Sequence, residues 1–134
     1  MSTYARVKLA SELFAVPVGN VVEIRELGEG ASVPGAGPAI LGLRNVRGRV
    51  LPVADLATLL GVPSHAAARL MLVAEADGLQ VGLAVDEVTE VGEMPEPDEP
   101  ADSDMLTGAA MAHGDLVGVI DVPRVLQALK GTVS

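Results

Sequence analysis

The 134-residue chain contains an internal repeat, and this limits its possible folds more than any other feature. Gly42-Leu-Arg-Asn-Val-Arg-Gly48-Arg-Val-Leu-Pro-Val-Ala-Asp55-Leu56 aligns without gaps, at an offset of 66, with Gly108-Ala-Ala-Met-Ala-His-Gly114-Asp-Leu-Val-Gly-Val-Ile-Asp121-Val122. Upstream, Val18…Val21-Val-Glu23-Ile24 matches Val85…Val88-Thr-Glu90-Val91 at an offset of 67. Order and spacing are both kept, so two related halves make up the chain. Each reads strand–strand–(V-x-x-V-x-E-I/V)–loop–strand–Gly turn–strand–helix. The halves run over approximately 13–76 and 77–121 of one domain spanning 1–134, closed by a strand at 3–10 and a helix at 121–130.

Local patterns support short strands. Residues 79–85 alternate larger apolar side chains with smaller or polar ones, the period-two signature of a strand. Similar strands are expected at 4–9, 13–18, 41–46, 49–54, 70–76, 105–112 and 115–120. Two short helices are expected, over 55–60 and 121–130. Each has an aspartate, Asp55 or Asp121, at the N-cap position and a glycine, Gly61 or Gly131, just past its end. Pro123 is tolerated in a first helical turn, and Lys130 suits the negative end of the helix dipole. Many short strands, glycine turns and two short helices indicate small β-barrels.

Composition agrees and excludes several functions. Apolar residues make up 49% of the chain, yet Tyr4 and Phe14 are its only aromatics, so Val, Leu, Ile and Ala must build the core. Twenty valines favour the pleated surface of a sheet. With no cysteine, disulfides, thiolate metal sites and thiol nucleophiles are excluded. A net charge of −9 repels phosphate backbones, and the shortage of aromatics removes stacking platforms, so nucleic acid is not an expected partner. No apolar run approaches the length of a bilayer span, and the first residues do not read as a signal peptide, so the expected compartment is the cytoplasm. The segment 93–104 is rich in proline and acid, and an exposed, extended loop is expected there.

Catalytic patterns are weak. His65 and His113 lack partners at metal-ligand spacing, and no cofactor is expected. A site built from Ser64, His65 and an aspartate has no nucleophile-elbow pattern behind it. Gly35-Ala-Gly37-Pro38 lacks the third glycine and the Lys-Ser/Thr of a phosphate loop. Asp55 and Asp121 are repeat-related, as the aspartates of an acid hydrolase dyad would be, but an N-cap role accounts for both. Glu23 and the cluster Arg44, Arg47 and Arg49 around Asn45 and Gly48 remain, either as a solvated turn or as a binding patch.

The run Gly42 to Leu56 resembles that of CheW-like chemotaxis coupling proteins. Their usual pattern is Gly, two apolar residues, Asn-Leu-Arg-Gly, any residue, then an apolar-Pro-apolar-apolar-Asp-Leu stretch. The likeness extends through Phe14-Ala-Val-Pro-Val, Val21-Val-Glu-Ile24, Val81-Gly-Leu-Ala-Val-Asp86-Glu-Val-Thr-Glu-Val91, Leu106-Thr-Gly108 and Gly118-Val-Ile-Asp121, covering roughly residues 4–130. Arg44 departs from it, standing where Ile, Thr or Val is usual. The resemblance implies two five-stranded SH3-like β-barrels related by a pseudo-two-fold, and no enzymatic activity. It implies an adaptor that bridges chemoreceptor cytoplasmic tips to the regulatory domain of a CheA-type histidine kinase, recruited to receptor arrays at the inner membrane. A CheW-like adaptor in a non-chemotactic signalling array is the alternative. By position, Arg47 matches the characteristic arginine, Glu23 its acidic partner, and Val21 and Val46 positions of receptor contact. With Asn45 and Gly48 these form the expected partner-binding set.

Overall fold

The computed structural model describes residues 1–63, 68–101 and 103–133, the last three by backbone alone. Ten strands, two helices and one short 3-10 turn (Val18–Asn20) follow in order. They are β1 (Ser2–Leu9), β2 (Glu12–Pro17), β3 (Val21–Glu26), β4 (Ile40–Val46), β5 (Arg49–Asp55), α1 (Leu56–Leu60), β6 (Leu70–Ala76), β7 (Leu79–Val85), β8 (Glu87–Met94), β9 (Leu106–Ala112), β10 (Asp115–Ile120) and α2 (Val122–Val133). The protein is all-β with two five-stranded sheets, ordered β8-β1-β2-β10-β9 and β3-β6-β7-β5-β4. This is the two-subdomain SH3-like arrangement.

The pseudo-two-fold reaches further than the sequence repeat. The parallel pair Val119–Ala15 joining β10 to β2 corresponds to Val53–Gly82 joining β5 to β7, at offsets of 66 and 67. Tyr4–Pro17 in the first hairpin corresponds to Met71–Ala84 in the third, where no residue is identical. Register shifts also recur, at Val22 in β3 and at Thr89 in β8. These two strands carry the V-x-x-V-x-E segments, which period-two alternation does not mark as strands. In β3 the alternation persists but is inverted in polarity, with Glu23 and Arg25 on the half-buried face and Val22 and Ile24 on the exposed one, while in β8 consecutive Thr89, Glu90 and Val91 are all exposed. Each sheet takes the hairpin β1–β2 or β6–β7 and combines it with the three strands that follow the other hairpin.

Four two-residue loops close the hairpins, at Ala10-Ser11, Arg47-Gly48, Asp77-Gly78 and His113-Gly114. The first residue of each has positive φ, between 52° and 56°. At Arg47-Gly48 both residues are left-handed, with φ of 53° and 81°, the geometry of a type I′ turn. The linker of each half makes the same bridge, Ala31 to Leu43 and Glu99 to Ala109. Glycine is required beside it: a Cβ on Gly42 would lie 2.2 Å from the Ala31 carbonyl oxygen, and one on Gly108 2.7 Å from that of Glu99. The acidic 93–104 segment is therefore not simply solvated. Glu93 and Met94 end β8, Met94 is buried, and Glu99 is hydrogen-bonded to β9.

Side-chain alternation divides the interior into three cores. Tyr4, Ala15, Met94, Ala110, Ala112, Val117 and Val119 fill the curl of one sheet. Val46, Leu51, Val53, Met71, Val73 and Ala84 fill the other. The opposite faces of β1, β2, β6 and β7 (Val7, Phe14, Val16, Leu72, Leu83 and Val85 among them) join Ile120, Val125 and Leu129 in a core shared by both sheets. Burial on both faces explains why these strands read as nearly continuous apolar runs.

Two expectations about helices need correction. Asp55 occupies the N-cap position of α1 but makes no side-chain bond to the helix backbone; its carboxylate accepts from the Thr58 hydroxyl at 2.7 Å instead. Gly131 does not end α2, which continues to Val133. Burial of Val125, Leu126 and Leu129 outweighs the roughly 1 kcal/mol that glycine costs inside a helix. The remaining caps are as read: Asp121 accepts from the Arg124 amide at 3.1 Å, and Gly61 takes φ 70° at the end of α1.

Candidate functional site

Strands β3 and β4 are the two edges of their sheet, and the curl of that sheet brings them together. On β3 the side chains of Val21, Glu23 and Arg25 are half-buried, whereas Val22, Ile24 and Glu26 face solvent. Glu23 Oε2 accepts from Arg47 Nε at 2.7 Å, and Glu23 Oε1 accepts from Arg25 Nη1 at 3.0 Å. Arg47 makes this contact from the left-handed first position of the turn that follows β4. The hydrogen bond from Arg47 holds the Glu23 carboxyl below the usual glutamate range, and the same contact raises the guanidinium of Arg47. Arg47 is 80% exposed and Glu23 only 20%, so the pair is an anchored carboxylate carrying a solvent-facing fork.

The turn itself is built locally. Asn45 Oδ1 accepts from the Gly48 amide at 2.9 Å, the side-chain-to-backbone bond that makes asparagine favourable in turns. Arg44 contributes outside the expected set. Its Nε donates to the Leu27 carbonyl and its Nη1 to the Leu43 carbonyl, both at 3.0 Å. It thereby fastens the start of the linker to β4.

Of the six expected site residues, Glu23, Asn45, Arg47 and Gly48 lie together as one surface feature. The two valines are placed differently. Val46 is 6% exposed inside the curl of the sheet, and Val21 is half-buried against the shared core. Both support the turn and β3 from beneath. The exposed apolar side chains of β3, β4 and the adjoining β5 are Val22, Ile24, Leu41 and Val50, which lie outside the expected set. A signal for Ile24 and Val50 was available: period two from the inward residues Glu23 and Leu51 puts them on the outer face.

The aspartates are each engaged at their own helix: Asp55 by Thr58, Asp121 by the Arg124 amide and guanidinium. Their backbones are equivalent too, Asp55 N donating to Ala39 and Asp121 N to Met105. Ser64 and His65 lie outside the described residues. Among the described residues no group of three or more His, Asp or Glu side chains could hold a metal ion, and no helix is long and apolar enough to cross a membrane.

The CheW-like domain family model matches residues 3–130. The chain belongs to the CheW-like domain family. Among curated relatives it is similar to the probable chemotaxis protein CheW of Rhizobium etli, with 36% identity over 63% of this chain and 56% of that protein. It is also similar to the chemotaxis protein CheW of Bacillus subtilis, with 36% identity over 58% of this chain and 51% of that one. Protein PilI of Pseudomonas aeruginosa is 34% identical over 60% of this chain and 47% of its own length. These matches span about half the length of the curated relatives. Among solved structures, the scaffolding protein TtCheW of Thermoanaerobacter tengcongensis superposes with a TM-score of 0.79 at 26% identity, covering 90% of this chain and 88% of that one. The CheW-like fold thus accounts for both curled sheets of this CheW-like chain, with the Asn45-Val-Arg-Gly48 turn joining β4 and β5.

Proposed function

We propose that the chain is a non-enzymatic adaptor that couples chemoreceptor cytoplasmic tips to the regulatory domain of a CheA-type histidine kinase. On this reading it acts in the cytoplasm, at receptor arrays on the inner membrane. Membership of a scaffold family supports the reading, and the Glu23–Arg47 pair carries it. An arginine presented on a rigid two-residue turn, with its carboxylate partner fixed on the neighbouring strand, suits recognition better than proton transfer: the guanidinium offers five donors in a fixed fork. Exposed Val22, Ile24, Leu41 and Val50 on β3, β4 and β5 supply apolar surface, and interfaces combine apolar centres with arginine at the margin.

Glu23, Asn45, Arg47 and Gly48 form the partner-facing set, with Val21 and Val46 as its support. The test is co-sedimentation of the chain with receptor cytoplasmic fragments and a CheA regulatory domain from the same organism. Ternary complexes are expected, and failure to bind either component contradicts the reading.

A further inference from the structure

The two sheets differ where Glu23 and Arg47 close the first. Their counterparts in the second are Glu90 and His113. In the β3–β6 register Glu23 stands opposite Val73, which does not compete for its carboxylate, and Arg25 and Arg47 take one oxygen each. In the β1–β8 register Glu90 stands opposite Arg6, and the two pair at 2.8 Å. Among the described residues no ion pair joins Glu90 to His113. Smaller side chains accompany the change: Ala112 and Val117 stand where the first sheet has Val46 and Leu51. A cavity of about 360 Å³ results, lined by Arg6, Lys8, Thr89, Glu90, His113 and Asp115 among others. That volume lies at the small end of ligand pockets.

Arg6 is the one buried charged side chain among the described residues, at 6% exposure. Among the described residues its Nε has no hydrogen-bond partner, and Nη2 meets Glu90 as an ion pair without an aligned hydrogen bond. A buried guanidinium is costly unless its donors are satisfied. The fold does not require one here, because Val73 fills the equivalent position of the first sheet at 1% exposure. Lys8 lies on the same face of β1, two residues toward the mouth, where the first sheet carries Glu75. The exchange of Val73 and Glu75 for Arg6 and Lys8 places two cations on β1 where β6 has none, while His113 and Asp115 stand where the first sheet has Arg47 and Arg49.

We infer that this cavity binds a small oxyanion, the phosphate or carboxylate group of a low-molecular-weight ligand. The Arg6 guanidinium is the fork at its base and Lys8 the second cation. Glu90 competes for one edge of that fork, and Asp115 limits the charge the site takes. The full chain is titrated at low ionic strength with inorganic phosphate and, separately, with succinate, followed by amide chemical shifts. The expected result is a saturable change confined to the neighbourhood of Arg6, Lys8, Thr89 and His113, with at least one of the two anions. Which anion saturates identifies the source chemistry. Arg6→Val installs the residue of the equivalent position and should keep the fold while weakening binding at least tenfold. Should Arg6→Val fail to fold, Lys8→Gln decides: weakening of several-fold supports the site, and unchanged binding overturns it. Absence of saturation with both anions, shifts spread over all basic residues, or full binding by folded Arg6→Val would equally overturn the inference.

Discussion

Glu23 and Arg47 join the two edge strands of one sheet through a 2.7 Å hydrogen bond from Nε to Oε2, and their counterparts Glu90 and His113 do not pair. The difference traces to the cross-strand neighbour of each glutamate and to His113 standing where the first sheet has Arg47. Val73 cannot compete for Glu23, whereas Arg6 takes Glu90. One sheet therefore presents an arginine fork tied to Glu23 at its margin, and the other an open mouth.

Acid should expose the Glu23 contribution. Its carboxyl lies below the ordinary glutamate value, chiefly through the Arg47 hydrogen bond. A group with a depressed folded pKa stabilises fully above its unfolded value, about 4.3 for glutamate, and the stabilisation is lost as pH falls through the folded value. The difference in melting temperature between wild type and Glu23→Gln should stay constant from pH 7 to about 5 and shrink below about 4. Melts across this range check it, and a difference that grows in acid would contradict the assignment.

Gly82 packs under Met71: a Cβ there would lie 2.3 Å from the Met71 Sδ and 3.1 Å from the Val53 Cγ2. Gly82→Ala should cost about 1–3 kcal/mol by overpacking. Chemical denaturation measures the loss.

Leu72 is fully buried in the core that both sheets share. Leu72→Ala should cost about 2–5 kcal/mol. Because the core is common, unfolding should remain a single transition, with equal calorimetric and van't Hoff enthalpies. Two resolved transitions would mean that the sheets unfold independently.

Arg44 donates to the Leu27 and Leu43 carbonyls at 3.0 Å and, more weakly, to that of Gly28 at 3.5 Å. Arg44→Val restores the aliphatic residue usual in the resembling family and leaves these acceptors to water. A loss of about 1–3 kcal/mol is expected, with faster hydrogen exchange at the Leu43 amide, which donates to Ala31 at 2.7 Å.

Much of this architecture was legible in the sequence because it depends on local signals. Alternation at 79–85, glycine at the second position of three hairpin turns, and the duplicated segments together point to paired β subdomains. Strand β3 escaped the alternation test because its half-buried positions carry Glu23 and Arg25 and its exposed ones Val22 and Ile24, and β8 because Thr89, Glu90 and Val91 are exposed in succession. The equivalence of the β1–β2 and β6–β7 hairpins left no identical residues, since apolar side chains of many shapes fill a doubly buried strand. The exchange of hairpins between halves is set by long-range pairing, which local pattern does not encode. At the site, residue types and spacing located Glu23, Asn45, Arg47 and Gly48, but not the burial of Val46, which depends on the curl of the sheet. Arg6 carried a readable signal: it shares the inward phase of Tyr4 on β1, and only partners distant in sequence showed it to be buried.

The central claim, that Arg47 serves recognition and not folding, is tested by calorimetric titration of Arg47→Ala with a receptor fragment and a CheA regulatory domain, beside a thermal melt. Because the guanidinium is exposed, the melting temperature should fall by about 4 °C or less, while affinity for at least one partner falls tenfold or more. Unchanged affinity for both partners, or a melt lowered by tens of degrees, would contradict the account.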